Sequence, residues 1–338
     1  MMYVGIDYHK NFSFATKMDE KGKIIDQMKF LNDPESIQQF AQTLEKDSKL
    51  VLEATGSWYY FYEQMENKAG DIILSHPSKT RAIAEARIKT DKIDSETLAH
   101  LLRADLIPQA YIPKREVRDV REILRYRVSL VSLRVMIKNK IHAILSKNGI
   151  KLPCTDIFGT KGITLMKALQ LRDSYQQTLQ GYLSLLNSLS EQIKKITETI
   201  ETIAKNNEEA ILLTSIPGIG YYSALLLISE IGDIHRFPSA KKLCSYAGLV
   251  PSVHSSGGKT YIGRITKQGS KWIRTALVEV SFHFIRSPGH FQSMYERIKK
   301  RSGATTARVA IAREMLKVIY SMLMHHRPFR SDHLVVSA

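Results

Sequence analysis

The order of strand-like and helix-like segments in residues 2–103 constrains the fold of this chain most strongly. Short apolar or alternating runs predict strands, whereas apolar residues spaced three and four apart predict helices. Three consecutive strands are followed by helices that alternate with two more strands, which is typical of a mixed sheet covered by helices. The strands are predicted at 3–6, 12–17, 24–30, 50–53 and 71–75, and the helices at 34–44, 58–68, 79–86 and 94–103.

Acidic residues stand at the ends of two predicted strands. Asp7 follows the first strand and Glu53 ends the fourth. Asp91 and Asp94 are three residues apart, which places them on one face if that stretch is helical. The segment order matches a ribonuclease H-like α/β fold, in which acids at neighbouring strand ends meet. Because Mg²⁺ prefers oxygen ligands and a metal pair can stabilise a displacement at phosphorus, the sequence predicts a divalent-metal site.

Taken singly, each acid has a simpler structural explanation. Asp94 would cap the helix that begins beside it, and Glu53 would pair with a lysine. The occurrence of all four acids in this segment order favours a shared metal site over these separate roles.

The charge balance of the chain indicates a polyanionic partner. Its 338 residues include 49 Lys and Arg against 33 Asp and Glu, which gives a formal net charge of +16. Neutralising phosphates releases counterions and therefore favours nucleic acid, although a merely basic protein has the same composition. With 43% hydrophobic residues, the chain can build packed cores.

Cysteine usage and hydropathy indicate a cytoplasmic protein without a membrane span. Cys154 and Cys244 are far apart in the sequence, so neither a zinc site nor a disulfide framework is expected. No basic leader precedes the first strand, and no run of about 20 apolar residues is found.

Two long helices are predicted at 115–147, which is rich in Arg and Lys, and at 172–207. Their seven-residue apolar repeats predict a coiled coil within one chain or between subunits, and two packed helices of a bundle are the alternative. The residues between them, 149–164, are predicted to form a linker. The heptad positions are Ile123, Leu130, Ile137, Ile144, Tyr126 and Leu133 in the first helix, and Leu179, Leu186, Ile193, Ile200, Tyr182, Leu189, Ile196 and Ile203 in the second.

A second globular region, mainly helical, is predicted at 210–325. Its turn 216–220 (IPGIG) separates two predicted helices and resembles a helix-hairpin-helix. In such a motif, the glycine backbone and the following helix N-terminus can donate N–H groups to phosphate. Gly218 and Gly220 are therefore candidate nucleic-acid contacts, and an ordinary tight helical turn is the alternative.

The glycine-rich segment 248–269 is predicted to form irregular loops. It contains Ser255 and Ser256, and a serine hydroxyl beside glycines that let the backbone approach phosphate can act as a nucleophile. His254 is a candidate base, and a flexible loop without catalytic function is the alternative. The residues predicted to neutralise phosphate charge are Arg264, Lys267, Lys271 and Arg274.

Together these motifs resemble those of the DEDD transposases of the IS110 insertion-sequence family, relatives of the Piv DNA invertase. The N-terminal motifs are 5–7 (GID), 52–56 (LEATG) and 89–95 (KTDKIDS). The C-terminal motifs are 217–220 (PGIG), 247–251 (AGLVP), 256–257 (SG) and 263–269 (GRITKQG). The resemblance covers nearly the whole chain, and the four acids match the family pattern without departure.

The resemblance implies four segments. These are a RuvC-like domain at 1–112, a basic helix with linker and coiled coil at 113–208, a C-terminal transposase domain at 209–326 and a tail at 327–338. It also implies Mg²⁺ or Mn²⁺ bound by Asp7, Glu53, Asp91 and Asp94. The implied nucleophile on DNA is Ser256, with Ser255 as the alternative.

The implied function is that of a DNA transposase or recombinase of an insertion sequence. Its implied partners are donor and target DNA, a structured bridge-type guide RNA, and further copies of the chain in a dimer or tetramer. The implied location is the nucleoid of a bacterium or archaeon. A RuvC-like junction-resolving nuclease and a Piv-like site-specific DNA invertase are the alternatives.

Overall fold

The fold comes from a computed structural model, which describes residues 1–54, 56, 58–84, 90–286 and 288–330. The chain divides into two compact units, Met1–Ile112 and Pro113–Ala338. Thr55 and Lys89 of the N-terminal motifs lie outside the described residues, as do 85–86 of a predicted helix and 331–338 of the predicted tail.

A mixed sheet forms the centre of the first unit. Its strands are β1 (Tyr3–Tyr8), β2 (Phe12–Met18), β3 (Ile24–Leu31), β4 (Lys49–Glu53), β5 (Asp71–Ser75) and β6 (Gln109–Ala110). The spatial order is β3-β2-β1-β4-β5-β6, with β1, β4 and β5 mutually parallel and the other pairings antiparallel. All five predicted strands are present. The two-residue β6 was not predicted because so short a segment carries no periodicity.

Helices cover both faces of this sheet: α1 (Pro34–Gln42), α2 (Trp58–Met65), α3 (Pro77–Ile83) and α4 (Asp91–Arg103). Successive residues of a strand point to opposite faces. Leu52 of β4 accordingly packs in one core cluster with Phe40 of α1 and Phe61 of α2. Its neighbour Val51 packs with Leu98 of α4 in another cluster.

Helix α4 begins at Asp91, earlier than the predicted residue 94. The N-cap is Thr90, whose hydroxyl accepts a hydrogen bond from the backbone N–H of Ile93 at 3.2 Å. The alternative role of Asp94 as a cap is therefore excluded. Asp91 and Asp94 both lie in the first turn of α4, where negative charge is favourable toward the helix dipole.

Helices make up most of the described part of the second unit. They are α5 (Arg115–Lys147), α6 (Thr160–Lys167), α7 (Asp173–Lys205), α8 (Glu208–Thr214), α9 (Tyr221–Ile231), α10 (Ala240–Tyr246), α11 (Lys271–Arg286), α12 (His290–Ser302) and α13 (Ala304–His325). The bounds of α5 agree with prediction. Helix α6 begins inside the segment 149–164, so the linker prediction is wrong for the C-terminal part of that segment.

Helices α5 and α7 pack against each other in antiparallel fashion. Leu124 of α5 shares a core with Ile200 of α7, whereas Ile144 shares a separate core with Leu179. The heptad prediction is wrong for Tyr126 and Leu133, which are 44% and 43% exposed. The seam of α5 instead uses Leu124, Leu130, Ile137, Ile141 and Ile144. Their successive spacings are six, seven, four and three residues, so the buried row departs from the predicted heptad register in the N-terminal half of the helix.

The main core of the second unit lies among α8 to α13 and the adjoining ends of α5 and α7. A buried polar network crosses it. Arg125 donates to Oε1 of Glu230 at 2.9 Å, and the hydroxyl of Ser270 donates to Oε2 at 2.8 Å. Arg121 donates to the backbone carbonyls of Ser229 and Glu230. This network ties α5 and α9 to the start of α11.

Residues 251–265 form an antiparallel hairpin of β7 (Pro251–Ser256) and β8 (Lys259–Ile265). Its turn is Gly257-Gly258, with φ of +55° and +75°, and positive φ at both central residues is the combination that a type I′ hairpin turn requires. The prediction of irregular loops is therefore wrong here. The strands are largely exposed, so their sequence lacks the apolar alternation by which strands are recognised.

No helix in the described ranges has the length and apolar character needed to cross a bilayer.

Candidate active site

Three of the predicted acids, Asp7, Glu53 and Asp94, line one cavity of about 330 Å³ in the first unit. Ile6 of β1 pairs with Leu52 of β4, so Asp7 and Glu53 are the next residues along two neighbouring parallel strands. Side chains at the same level of adjacent strands point to the same face. The sheet register thus places these two carboxylates beside each other.

The close approach of α4 to β1 brings the other two acids to the same edge. A Cβ atom added to Gly5 would lie 2.0 Å from the carbonyl oxygen of Ser95 and 2.5 Å from the backbone N of Ala99. The buried hydroxyls of Thr16 and Ser95 are 2.7 Å apart. The N-terminal part of α4, which carries Asp91 and Asp94, therefore lies against the strand that carries Asp7.

His9 links two of the acids. Its Nε2 atom lies 3.2 Å from Oδ2 of Asp7 and 3.1 Å from Oδ1 of Asp91. One donor atom from each of these three residues falls within 4.8 Å of the others. Glu53 is not one of these three residues, and it lines the cavity wall.

Burial raises the pKa of the Asp7 carboxyl above its usual value. His9 opposes this rise, whereas the nearby charges of Asp91 and Asp94 add to it. Desolvation and the two neighbouring carboxylates therefore disfavour the charged form of Asp7. A cation bound between these carboxylates would compensate by favouring the charged form.

The donor set fits a hard divalent cation. Asp7, Glu53 and Asp94 present carboxylate oxygens to one cavity that is open enough to admit water, and Asp91 joins them through His9. Mg²⁺ and Mn²⁺ both take carboxylate and water oxygens. A cation at this position would polarise a phosphoryl oxygen and lower the pKa of an attacking group.

Two residues that lie near the acids are not predicted from the sequence, His9 beside Asp7 and Asp91 and Arg81 in the cavity wall. His9 follows the strand-end acid by two residues, a spacing that would have indicated it as a neighbour across the β1–β2 turn. Arg81 of α3 lines the cavity together with the three acids and brings a positive charge to it. Its helix has no pattern that separates Arg81 from other exposed cations.

The predicted nucleophile Ser256 lies in the second unit as the exposed last residue of β7, directly before the glycine turn. The hydroxyl of its neighbour Ser255 is 3.1 Å from the hydroxyl of Thr260 across the hairpin. Successive strand residues face opposite sides, so Ser255 and Ser256 point away from each other. His254 pairs with Tyr261 in the strand register.

The predicted phosphate contacts fall into two groups. Gly218 lies between α8 and α9 and against the side chain of His283, and Gly220 is the N-cap of α9. Arg264, Lys267 and Lys271 are exposed on and after β8.

Arg274 differs from these cations because its guanidinium has backbone partners. Its Nη1 donates to the carbonyl of Ala247 at 2.8 Å and to that of Gly269 at 3.2 Å. Burial lowers the pKa of this guanidinium. Arg274 therefore holds together the two chain segments at the base of the hairpin.

Comparison with known families identifies both parts of the chain. Residues 4–148 match the family model of DEDD transposases of the IS110 type, described as "Transposase". Residues 210–296 match the family described as "Transposase IS116/IS110/IS902 family".

Individual relatives extend these matches over most of the length. A transposase for insertion sequence element IS1111A of Coxiella burnetii is 26% identical over 97% of this chain and 91% of that protein. A transposase for IS1328 of Yersinia enterocolitica is 28% identical over 82% of this chain and 81% of that protein. A pilin gene-inverting protein of Moraxella bovis is 36% identical over 42% of this chain and 45% of that protein.

These matches define the class of the protein as a transposase or recombinase, an enzyme that acts on DNA. Within that class, the chain belongs to the IS110 transposase family of insertion sequences.

Proposed function

We propose that this transposase cuts and rejoins DNA strands with a divalent metal, Mg²⁺ or Mn²⁺, held by Asp7, Glu53, Asp91 and Asp94. The observation that carries the proposal is the single cavity lined by Asp7, Glu53 and Asp94, with Asp91 joined to Asp7 through His9. The mixed sheet with acids at the ends of neighbouring parallel strands supports a ribonuclease H-like, RuvC-like assignment for this unit.

In this proposal, the acids and Arg81 have different roles toward the phosphodiester. The four acids hold the cation, which when bound supplies charge stabilisation at the phosphoryl oxygens. Arg81, which lines the same cavity, binds a non-bridging phosphate oxygen and orients the scissile group. The buried strands behind Asp7 and Glu53 hold these carboxylates in place before the substrate binds.

In the second unit, Ser256 is the proposed nucleophile. Its oxygen forms a bond to phosphorus while the bond from phosphorus to a deoxyribose oxygen breaks, and that oxygen leaves with a proton as a free hydroxyl. Attack by a hydroxyl of another strand reverses the step and releases Ser256. Because each step exchanges one phosphodiester for another, no nucleotide hydrolysis is needed. The exposed position of Ser256 at the tip of the hairpin supports this role.

The proposed partners are donor and target DNA, a structured bridge-type guide RNA, and further copies of the chain in a dimer or tetramer. The net charge of +16 supports binding to nucleic acid. Arg264, Lys267 and Lys271 near the hairpin, and the N–H groups around Gly218 and Gly220, are the proposed phosphate contacts.

Replacement of the nucleophile tests the serine mechanism. Ser256→Ala is expected to abolish the covalent protein–DNA adduct and strand rejoining while leaving DNA binding intact. Adducts trapped on a labelled donor duplex and resolved by denaturing electrophoresis measure this. Ser255→Ala is the matched control and should retain the adduct. An adduct that persists in Ser256→Ala but disappears in Ser255→Ala would move the role to Ser255, and one that persists in both would refute the serine mechanism.

Replacement of a central acid tests the metal site. Asp7→Asn is expected to lower metal-dependent strand cleavage by roughly 10²-fold or more, since a bound cation supplies several kcal/mol of transition-state stabilisation. It should also abolish the rise in melting temperature that Mg²⁺ or Mn²⁺ produces. Asp71→Asn, at the exposed start of β5, is the control and should behave as the unaltered protein. Unchanged cleavage in Asp7→Asn would remove the acids from catalysis.

Site-specific inversion of a DNA segment is the second candidate function. The pilin gene-inverting protein of Moraxella bovis, which is 36% identical over 42% of this chain, favours it. Sequencing the junctions formed on a donor plasmid separates the two functions, because an invertase flips the segment in place whereas a transposase inserts it at a new site. A junction-resolving nuclease would leave no covalent adduct.

A further inference from the structure

His9 contacts two of the proposed metal-binding acids, Asp7 and Asp91, and the mechanism above gives it no function. Its ring stands at the turn between β1 and β2, and its Nε2 atom faces Oδ2 of Asp7 and Oδ1 of Asp91 at 3.2 and 3.1 Å. These three atoms come from different residues and converge on one small volume. A hydrogen on Nε2 can bond to either carboxylate, and a cation that replaces this hydrogen would have all three atoms as neighbours.

The backbone of His9 is held by hydrogen bonds, and its ring lies beside the ring of Phe12. Its backbone N–H donates to the carbonyl of Phe12 at 3.0 Å, and the side-chain amide of Asn32 donates to the His9 carbonyl at 2.7 Å. The His9 and Phe12 rings lie with their centroids 4.8 Å apart. Asn32 is fixed in turn by the hydroxyl of Ser13, which donates to its side-chain oxygen at 2.7 Å. A ligand residue on a fixed backbone is pre-organised for metal binding.

We propose that His9 is a nitrogen ligand of the divalent cation at this site and shifts its preference from Mg²⁺ toward Mn²⁺. This inference rests on the proposed metal site formed by the acids. Carboxylate and water oxygens suit both ions, but an imidazole nitrogen favours the softer transition metal over Mg²⁺, which requires hard oxygen donors. A chain with His9 beside Asp7 and Asp91 therefore selects its metal differently from one with oxygen donors alone.

Electron paramagnetic resonance on the Mn²⁺-loaded full-length protein tests this inference directly. Pulsed spectra of the unaltered protein, recorded without nucleic acid, are expected to show the ¹⁴N coupling of a directly bound imidazole. His9→Ala should lose this coupling and weaken Mn²⁺ binding about 10-fold, as measured from the free Mn²⁺ signal. Mg²⁺ should displace Mn²⁺ from the variant at a correspondingly lower Mg²⁺/Mn²⁺ ratio.

His100→Asn is the matched control. His100 is on α4 of the same unit, is similarly exposed, and has its own carboxylate neighbour, with 3.9 Å between its Nε2 and Oε1 of Glu96. This variant should keep the nitrogen coupling and the Mn²⁺ affinity.

The outcomes separate this inference from the proposed function. Mn²⁺ that binds the unaltered protein without ¹⁴N coupling, and is lost in Asp7→Asn, would overturn the ligand role of His9 and leave the acid site standing. Coupling that survives in His9→Ala would also overturn it. Mn²⁺ binding that neither Asp7→Asn nor His9→Ala reduces would refute both.

Discussion

The carboxylate cavity and the serine hairpin hold their reactive groups by opposite means. The strands that carry Asp7 and Glu53 are buried, with Ile6 and Leu52 inaccessible to solvent. The hairpin that carries Ser256 is exposed, including the apolar side chains of Val253, Tyr261 and Ile262. The acids are therefore positioned by a packed core, and the serine by the strand pairing and turn of an exposed hairpin.

The base of the hairpin is fixed even though its tip is not. Thr266 N–H donates to the carbonyl of Val250, and Lys267 N–H donates to that of Gly248. Arg274 binds the carbonyl of Ala247, and Ser270 binds the buried Glu230. A two-stranded ribbon is marginally stable in water without packing, so the tip can adjust to a substrate while the base stays attached. This contrast predicts that the acids are pre-organised before the substrate binds and that Ser256 adjusts its position to the substrate.

The largest expected loss of stability is in the packed unit that carries the carboxylate cavity. Gly5→Ala would place a Cβ inside backbone atoms of α4 and force that helix from β1. We expect a loss of about 3 kcal/mol or more in the free energy of unfolding of the first unit. Hydrogen exchange of the α4 and β1 amides measures it. Gly181→Ala, on α7 where added atoms meet nothing, is the control and should not destabilise. Equal protection in both variants would contradict the close packing.

The next effect concerns the anchored base of the hairpin. Glu230→Gln removes the charge that receives hydrogen bonds from Arg125 and Ser270. We expect a loss of about 2 kcal/mol, because hydrogen bonds to buried charged groups are worth more than neutral ones. Chemical denaturation followed by hydrogen exchange around residues 266–274 measures the change. Glu314→Gln weakens a partly exposed pair with Lys317, three residues along the same helix, and should cost well under about 1 kcal/mol. Similar losses in both would show that the base is not specially anchored.

A smaller effect is expected at the cap of the acid-bearing helix. Thr90→Ala removes the hydroxyl that accepts from the N–H of Ile93, which should cost about 1 kcal/mol. The first turn of α4 carries Asp91 and Asp94, so its fraying should also weaken Mn²⁺ binding. Thr90→Ser retains the hydroxyl and should restore both stability and metal affinity. Metal affinity that is unchanged in Thr90→Ala would show that the carboxylates are held without the cap.

The smallest effect on overall stability is expected at the exposed tip. Gly257→Ala forces a residue with a Cβ into the left-handed region, at φ of +55°, which costs about 1 kcal/mol locally. Because the tip packs on little, the melting temperature should hardly change while adduct formation falls. Gly257→Asn should be milder, since Asn tolerates this conformation better. A large fall in melting temperature would show that the hairpin is part of the core after all.

The same contrast explains how far the sequence predicts the fold. Apolar runs predict β1, β4 and β5 because the core imposes that pattern, alternation predicts β2, and the turn before it predicts β3. Asp7 and Glu53 are recognised from their places at strand ends. The hairpin was missed because β7 and β8 are polar and exposed. Tyr126 and Leu133 were placed in the helix seam because spacing alone does not reveal which of two apolar rows faces the partner.

For the candidate site, the sequence indicates the residues on regular elements better than those on turns. Asp91 and Asp94 follow from helical spacing, but the cap at Thr90 shifts the helix start by one turn relative to prediction. Arg81 reaches the site by tertiary contact alone, which no local pattern records, whereas His9 is two residues after Asp7 at the β1–β2 turn. Side chains that reach a site from a turn or a short helix are those that sequence reasoning misses.

The antiparallel pair α5 and α7 has a mechanical consequence. Each helix contains 33 residues and is about 50 Å long at the usual helical rise, which is the length of roughly 15 base pairs of duplex. Because a separate apolar cluster closes the distal end, the pair can move as a stiff arm. A tilt of about 10° about the end that packs in the main core would move the other end by nearly 9 Å. Small rearrangements in the main core would therefore produce larger displacements at the distal end of the pair.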